Sequence, residues 1–330
     1  MSGRPNALFA FAPELVLAVH GPERIVEEFR REYRLAKTTE GDPTVEVSFT
    51  KRAPAGETTL AGGHKTVRWR VGLSAPDRSP LRAEIALSGV PATFARSLVQ
   101  GYYVEPLLAL VAARAGRVLL PAAGFDVGGA ATLVMGSSRT GKSTLAARVG
   151  ARGGTVLGDD QVLLGAAGCS PFPRRTRIYS DFRRTASDAY RSLTRGERAA
   201  LLVRAVARRL TLGWVAPSLA VELPAASPNS AVPLARVALI ERDAPGAALD
   251  SRELATTAAV EAALSLLGEH REWLTAAPGW HDACAAAARR ERATLSAMFS
   301  RVPVEQVPLP EAWGAAESIA ALERHLTLNG

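Results

Sequence analysis

Gly136-Ser137-Ser138-Arg139-Thr140-Gly141-Lys142-Ser143 matches G-x-x-x-x-G-K-[ST] in full, and it lies between a strand pattern and a helix pattern. Ahead of it, Ala131-Thr132-Leu133-Val134-Met135 is an apolar, β-branched run of the length a buried strand needs. Behind it, Ser143 to Val149 is rich in alanine and leucine and reads as a helix. A phosphate loop requires this context. Its glycines let backbone N–H groups face phosphate oxygens, and the first helical turn adds the positive end of its dipole at the same point. Gly136, Ser137, Ser138, Arg139, Thr140, Gly141, Lys142, Ser143 and Thr144 are therefore the candidate nucleotide-binding residues. Lys142 would reach the β- and γ-phosphates, and the Ser143 hydroxyl would ligate Mg²⁺. A chance glycine-rich turn is the alternative, and composition argues against it. The chain has four lysines against 36 arginines, so Lys142 is not drawn from a lysine-rich background.

Asp159 and Asp160 follow one helix later, in an apolar run from Thr155 to Leu164 that Gly158 interrupts. Adjacent carboxylates in such a run are costly to bury unless they serve a metal or a proton transfer. A P-loop enzyme needs one carboxylate near Mg²⁺ beside Ser143 and can use a second to take the proton of an attacking hydroxyl. Neighbours on a regular strand face opposite ways, so a turn or bulge at Gly158 is needed to bring both toward the loop. The competing reading is a β-turn with exposed aspartates.

The rest of the chain sets bounds. At 330 residues it is long enough for one large domain or two moderate ones, and an apolar fraction of 47% is ordinary for a globular protein. We expect an N-terminal α+β domain over 1–117 and a nucleotide-binding α/β domain over 118–330. In the first, Leu8 to Val19, Thr44 to Thr50, Lys65 to Ser74 and Leu81 to Leu87 read as strands. Pro22 to Tyr33 and Thr93 to Ala115 read as helices, and 39–43, 54–63 and 74–80 as turn-rich connections. In the second, a strand at Arg236 to Ile240 precedes two alanine-rich helices, Ser251 to Leu267 and His281 to Phe299, then a strand at Val302 to Val307 and a helix from Glu311 to His325.

No run of 18 apolar residues occurs, so no membrane partner is expected, and Pro13 and Glu14 break the only signal-like stretch. Cys169 and Cys284 lack disulfide or metal-ligand spacing, which fits a reducing, cytoplasmic setting. The net charge of +8 is concentrated between Arg174 and Arg209, where 11 arginines meet three acids; the remainder is neutral. Such a segment suits an acidic or phosphorylated protein or peptide, or the nucleotide itself, and its alternative is a solvated helix face. Nucleic acid is not expected, because the tyrosines and tryptophans do not interleave with the arginines.

The run Asp126-Val127-Gly128-Gly129, Leu133-Val134-Met135-Gly136, the loop itself and Val156-Leu157-Gly158-Asp159-Asp160 resembles the kinase core of the HPr kinase/phosphorylase family. It is closest to the smaller HPr serine kinase-like proteins encoded beside peptide-modification genes. The likeness covers Leu119 to Leu164; Pro171-Phe172-Pro173-Arg174 and Pro233 to Val237 resemble segments of such kinases more loosely. It implies an α/β fold with a P-loop kinase core of the HPr kinase/phosphoenolpyruvate carboxykinase type behind the N-terminal α+β domain. It also implies ATP and Mg²⁺ as cofactors, serine phosphorylation of a small protein or peptide, and a homo-oligomer. Carried onto this chain, Asp159 is the catalytic base, Asp160 and Ser143 hold the metal, and Lys142 contacts phosphate. Arg174 or Arg177 then supplies charge to the phosphoryl group in the transition state. Pro121 stands where the bifunctional enzymes carry a histidine, and the family's second glycine-rich signature is missing, so the resemblance does not extend to phosphorolysis. A kinase of a free small molecule, a nucleotide hydrolase and a nucleotide-sensing binding module are the rival readings.

Overall fold

Alternation of apolar and charged residues builds the first sheet of this α/β protein. The structure is a computed structural model describing residues 6–90, 92–138, 140–212, 218–223, 230–244 and 248–326. Two units are distinguished: Met1–Leu119 with Leu164–Ala166 and Glu261–Ala297, and Leu120–Leu163 with Ala167–Val260 and Met298–Gly330. The sequence division at 117/118 assigns residues 261–297 to the second domain, whereas in the structure they cluster with the first unit.

In the first unit, β1 (Ala7–Ala12), β2 (Leu15–His20), α1 (Glu23–Glu32), β3 (Lys37–Thr38), β4 (Val45–Thr50), β5 (Thr58–His64), β6 (Val67–Leu73) and β7 (Leu81–Gly89) form a helix on a seven-stranded sheet. The strand order is β3-β1-β2-β4-β7-β6-β5, with β4 parallel to both β2 and β7. On β6, Val67, Trp69 and Val71 are buried while Arg68 and Arg70 face solvent, the half-exposed pattern read from sequence. The run Leu8 to Val19 is a hairpin rather than one strand, turning at Pro13-Glu14. The turn-rich stretch 54–63 contains most of β5, an edge strand whose glycines hide its pattern.

The predicted helix Thr93 to Ala115 is α2 (Ala92–Val99) and α3 (Glu105–Arg114), joined by a π-helical turn at Gln100–Val104. The turn points the fully buried Gln100 amide at the Tyr33 hydroxyl (2.8 Å) and at Glu105 Oε1 (2.9 Å). An inserted residue in the helical ladder is tolerated where such bonds offset it.

The chain enters the second unit from β8 (Val118–Leu120) through β9 (Ala122–Val127) and β10 (Ala130–Met135) to α4 (Lys142–Ala151). Next come β11 (Thr155–Gly158), β12 (Val162–Gly165), β13 (Gly168–Pro171) and β14 (Thr176–Ile178). The arginine-rich segment folds as α5 (Phe182–Thr185), α6 (Ser187–Ser192) and α7 (Arg195–Leu210), followed by β15 (Leu219–Val221) and β16 (Leu234–Ala244). The remaining elements are β17 (Arg252–Glu253), α8 (Thr256–His270), α9 (Glu272–Thr275), α10 (His281–Phe299), β18 (Val304–Pro310) and α11 (Ala315–His325).

A six-stranded mixed sheet, order β11-β9-β10-β16-β18-β17, carries the unit. β10 lies inside it, antiparallel to β9 and parallel to β16, and β16 is parallel to β18. The strand that follows α4 is therefore not β10's parallel partner. β11 pairs antiparallel with β9 at the edge. Leu145, Ala146 and Val149 of α4 and Ile319 and Leu322 of α11 pack with Phe125, Val134, Ile240 and Val307 in one buried cluster. Each of the leucine, isoleucine, valine and phenylalanine side chains among them contributes roughly 1.5–3 kcal/mol when fully buried. No helix among the described residues is long and apolar enough to cross a membrane.

Candidate functional site

The end of β10 hands the chain to a loop whose shape depends on its glycines. Gly141 has φ +97° and precedes α4, and a Cβ there would lie 2.2 Å from Ile319 Cδ1 of α11. Only glycine meets both conditions, the left-handed backbone and the close neighbour. Inside the loop the buried Thr140 hydroxyl donates to the Ser137 carbonyl (2.9 Å). The first helical bond of α4 runs from the Leu145 N–H to the Gly141 carbonyl (2.9 Å), which leaves the N–H groups of Lys142, Ser143 and Thr144 without intrahelical acceptors. This is the electropositive end of the helix.

The Lys142 ammonium lies across the loop and donates to the Gly136 carbonyl (2.6 Å), the Ser137 carbonyl (2.9 Å) and Thr140 Oγ1 (3.3 Å). Burial pushes its pKa below the ordinary lysine value, and the charges of Asp160 and Asp159 pull it back up. Ser137 and Ser138 are exposed, while Ser143 and Thr144 are half-buried on the first turn of α4. Arg139 lies outside the described residues.

The carboxylates sit in a sharp turn between β11 and β12. The β9–β11 register slips between Val156 and Gly158, and a Cβ on Gly158 would lie 2.0 Å from the Gln161 carbonyl oxygen. The turn separates the two aspartates by environment: Asp159 is buried, whereas the Asp160 side chain is 52% exposed. The hydroxyls of Ser143 and Thr176 hydrogen-bond the Asp159 carboxylate. Desolvation, then repulsion from Asp160, raise the Asp159 pKa to about 7, against the opposing pull of Arg174 and the two hydroxyls. Arg174, itself largely buried, donates from Nη1 to Asp160 Oδ2 at 3.1 Å.

The loop, both aspartates and Arg174 thus share one locality. Arg177 does not share Thr176's side of β14. It pairs with Ala220 of β15, and strand alternation puts it on the face opposite the buried Thr176 and Ile178. Of the two arginines left open by the sequence, Arg174 pairs with Asp160. Thr176 escaped the sequence reading, since a lone hydroxyl within Arg174-Arg175-Thr176-Arg177 carries no spacing signal.

Among the described residues no three His, Cys, Asp or Glu side chains cluster as a metal cage. Ser143, Asp159 and Asp160 nevertheless gather hard oxygen donors beside the loop, and Mg²⁺ is commonly held by one or two carboxylates together with substrate phosphates. The residues fit that ion.

No protein-family model matches this chain, and no curated protein matches it in sequence.

Proposed function

We propose that the second unit is an ATP- and Mg²⁺-dependent kinase of the HPr kinase-like type, transferring the γ-phosphoryl group to a serine hydroxyl of a small protein or peptide. The observation that carries this reading is the hydrogen bond between the Ser143 hydroxyl and the buried Asp159 carboxylate, which joins the glycine-rich loop to a group able to exchange a proton near pH 7. The backbone N–H groups at the start of α4 bind the phosphates, and Lys142 exchanges its loop carbonyls for phosphate oxygens. The acceptor oxygen bonds to the γ-phosphorus as the bond to the β-bridging oxygen breaks, and Asp159 takes the hydroxyl proton. Arg174 offsets charge gathering on the phosphoryl oxygens. Ser143 and Asp160 would hold Mg²⁺, which when bound neutralises charge on the β- and γ-phosphates.

The same hydrogen bond favours a second assignment, in which Asp159 sits with Ser143 on the metal side and the more exposed Asp160 receives the proton. Asp159→Asn and Asp160→Asn separate the two. The base variant should lose turnover while its Mg²⁺ dependence is unchanged, and the metal-side variant should raise the Mg²⁺ concentration needed.

The deciding experiment incubates the full chain with ATP, Mg²⁺ and the protein products of neighbouring genes, and weighs each product by mass spectrometry. A gain of one phosphate, lost in Asp159→Asn, supports the proposal. ATP hydrolysis with no labelled acceptor points instead to a hydrolase. Cys169 and Cys284 are free, buried thiols, in keeping with work in a reducing compartment such as the cytoplasm.

A further inference from the structure

We infer that the outward face of α7 docks an acidic, amphipathic helix of a partner protein. Leu201 anchors the helix from beneath, in a cluster with Ala147 of α4, Ile178 of β14, Phe182, Ala189 and Val221. A capping box between Thr194 and Glu197 fixes its start, and Arg204 ties it to the Ser218 carbonyl (3.1 Å). Among the described residues the opposite face has no such cover. Leu202 (67% exposed), Val206 (49%) and Leu210 (80%) recur at i, i+4 and i+8, with Val203 (67%) beside them. A helix normally turns a ridge of this kind into a core; here it faces solvent.

Charge selects the occupant. Arg195, Arg198 and Arg209 lie along the same outward side and form no ion pair among the described residues. The only acid on α7, Glu197, is engaged in the cap. A partner that covers the ridge must therefore bring carboxylates to its rim. A second copy of α7 would set arginine against arginine. An anionic membrane is less well matched, because α7 carries no aromatic side chain to seat at a lipid interface. Apolar positions four residues apart form a ridge that takes the groove of another helix.

Ile178, in the cluster beneath α7, shares its strand face with Thr176, the residue bonded to Asp159. A helix held on α7 is thus fixed to an element of the carboxylate site. This makes α7 the docking element for the phosphate acceptor, a part of the inference that rests on the kinase reading; the docking itself does not.

The test is fluorescence anisotropy on the full chain without nucleotide or Mg²⁺, so it can fail independently of phosphoryl transfer. The probe is a labelled synthetic helix with leucine at heptad positions a and d and glutamate elsewhere. Its lysine-for-glutamate analogue and vesicles of phosphatidylcholine with phosphatidylserine are run beside it. The glutamate helix should bind and the lysine analogue should not. Leu202→Asp with Leu210→Asp, and separately Arg195→Glu with Arg209→Glu, should each weaken binding roughly tenfold or more. Leu210→Ser, a milder change at an exposed position, guards against misfolding and should weaken binding in the same direction. The inference is overturned by equal binding of both peptides, by variants that bind like the parent chain, or by variant-sensitive binding to vesicles alone. Self-association that Leu202→Asp abolishes would overturn it too.

Discussion

Two buried carboxylates grip the same helix, α4, and their surroundings set them to opposite tasks. Near its C-terminal end Glu323 of α11, buried, meets Arg148 Nη2 at 2.7 Å and Arg152 Nη1 at 2.5 Å. Two guanidiniums fasten that carboxylate from both sides, which makes it a clamp. At the N-terminal end Asp159 is also buried, but it is met by two neutral hydroxyls and a neighbouring carboxylate, while Arg174, whose ion pair is with Asp160, pulls the other way. Burial with two paired cations makes structure, and burial that outweighs its one guanidinium neighbour makes a group that can trade a proton.

The largest expected effect tests the second half of that contrast. Asp159→Asn should lower turnover by about 10²–10⁴-fold, the range of a lost general base, while ATP affinity measured by equilibrium binding is retained. A variant that turns over as fast as the parent chain would remove the contrast altogether. Glu323→Ala tests the other half. It takes the shared carboxylate from Arg148 and Arg152, of which Arg152 keeps its contact with Asp188, and should cost about 1–3 kcal/mol in urea unfolding. The damage should appear in the unfolding midpoint, and turnover per folded molecule should fall far less than for Asp159→Asn.

A pH series sharpens the comparison further. The folded pKa of Asp159, about 7, stands above the ordinary carboxylate value of 3.8, so between these limits the folded chain binds the extra proton. That contribution to stability is complete below about pH 4 and is lost as pH rises through about 7, by at most about 1.4 kcal/mol per pH unit. Asp159→Asn should flatten this part of the stability profile, and an unchanged slope would show that another group titrates. The smallest effect concerns Thr176→Val. Because the Thr176 hydroxyl lowers the Asp159 pKa, its removal should move the rising limb of kcat/KM to higher pH by less than about one unit, and Thr176→Ser should restore it. A limb that stays in place would favour Asp160 as the proton acceptor.

The half of the site that is local in sequence was legible there. Gly136 to Ser143 states its own geometry because the loop and the first turn of α4 are contiguous, and Gly158-Asp159-Asp160 announces a turn in an apolar run. What makes Asp159 different from Asp160 was not legible. It depends first on burial, and then on the opposing Thr176 and Arg174, whose approach is set by how the chain folds back after β12 and β13. The face on which Arg177 falls likewise needed the register of β14, since a shift of one residue on a strand reverses the face.

In the fold, strands with clean alternation such as β6 stood out, whereas β5, with Gly62 and Gly63 near its end, did not. The apolar run Leu8 to Val19 concealed a hairpin because both of its strands are buried, so no polar period marks the turn beyond Pro13-Glu14. The grouping of 261–297 with the first unit is a long-range contact pattern, to which local periodicity is blind.

The close seating of Ile319 against Gly141 means that the loop obtains its floor from a helix synthesised long after it. At ribosomal speeds of about 5–20 residues per second, the wait is on the order of ten seconds or more. Throughout that interval the nascent chain displays its glycine-rich turn with one wall missing. Under the proposed function, tight capture of a nucleotide is a late event in biogenesis, timed by the arrival of α11.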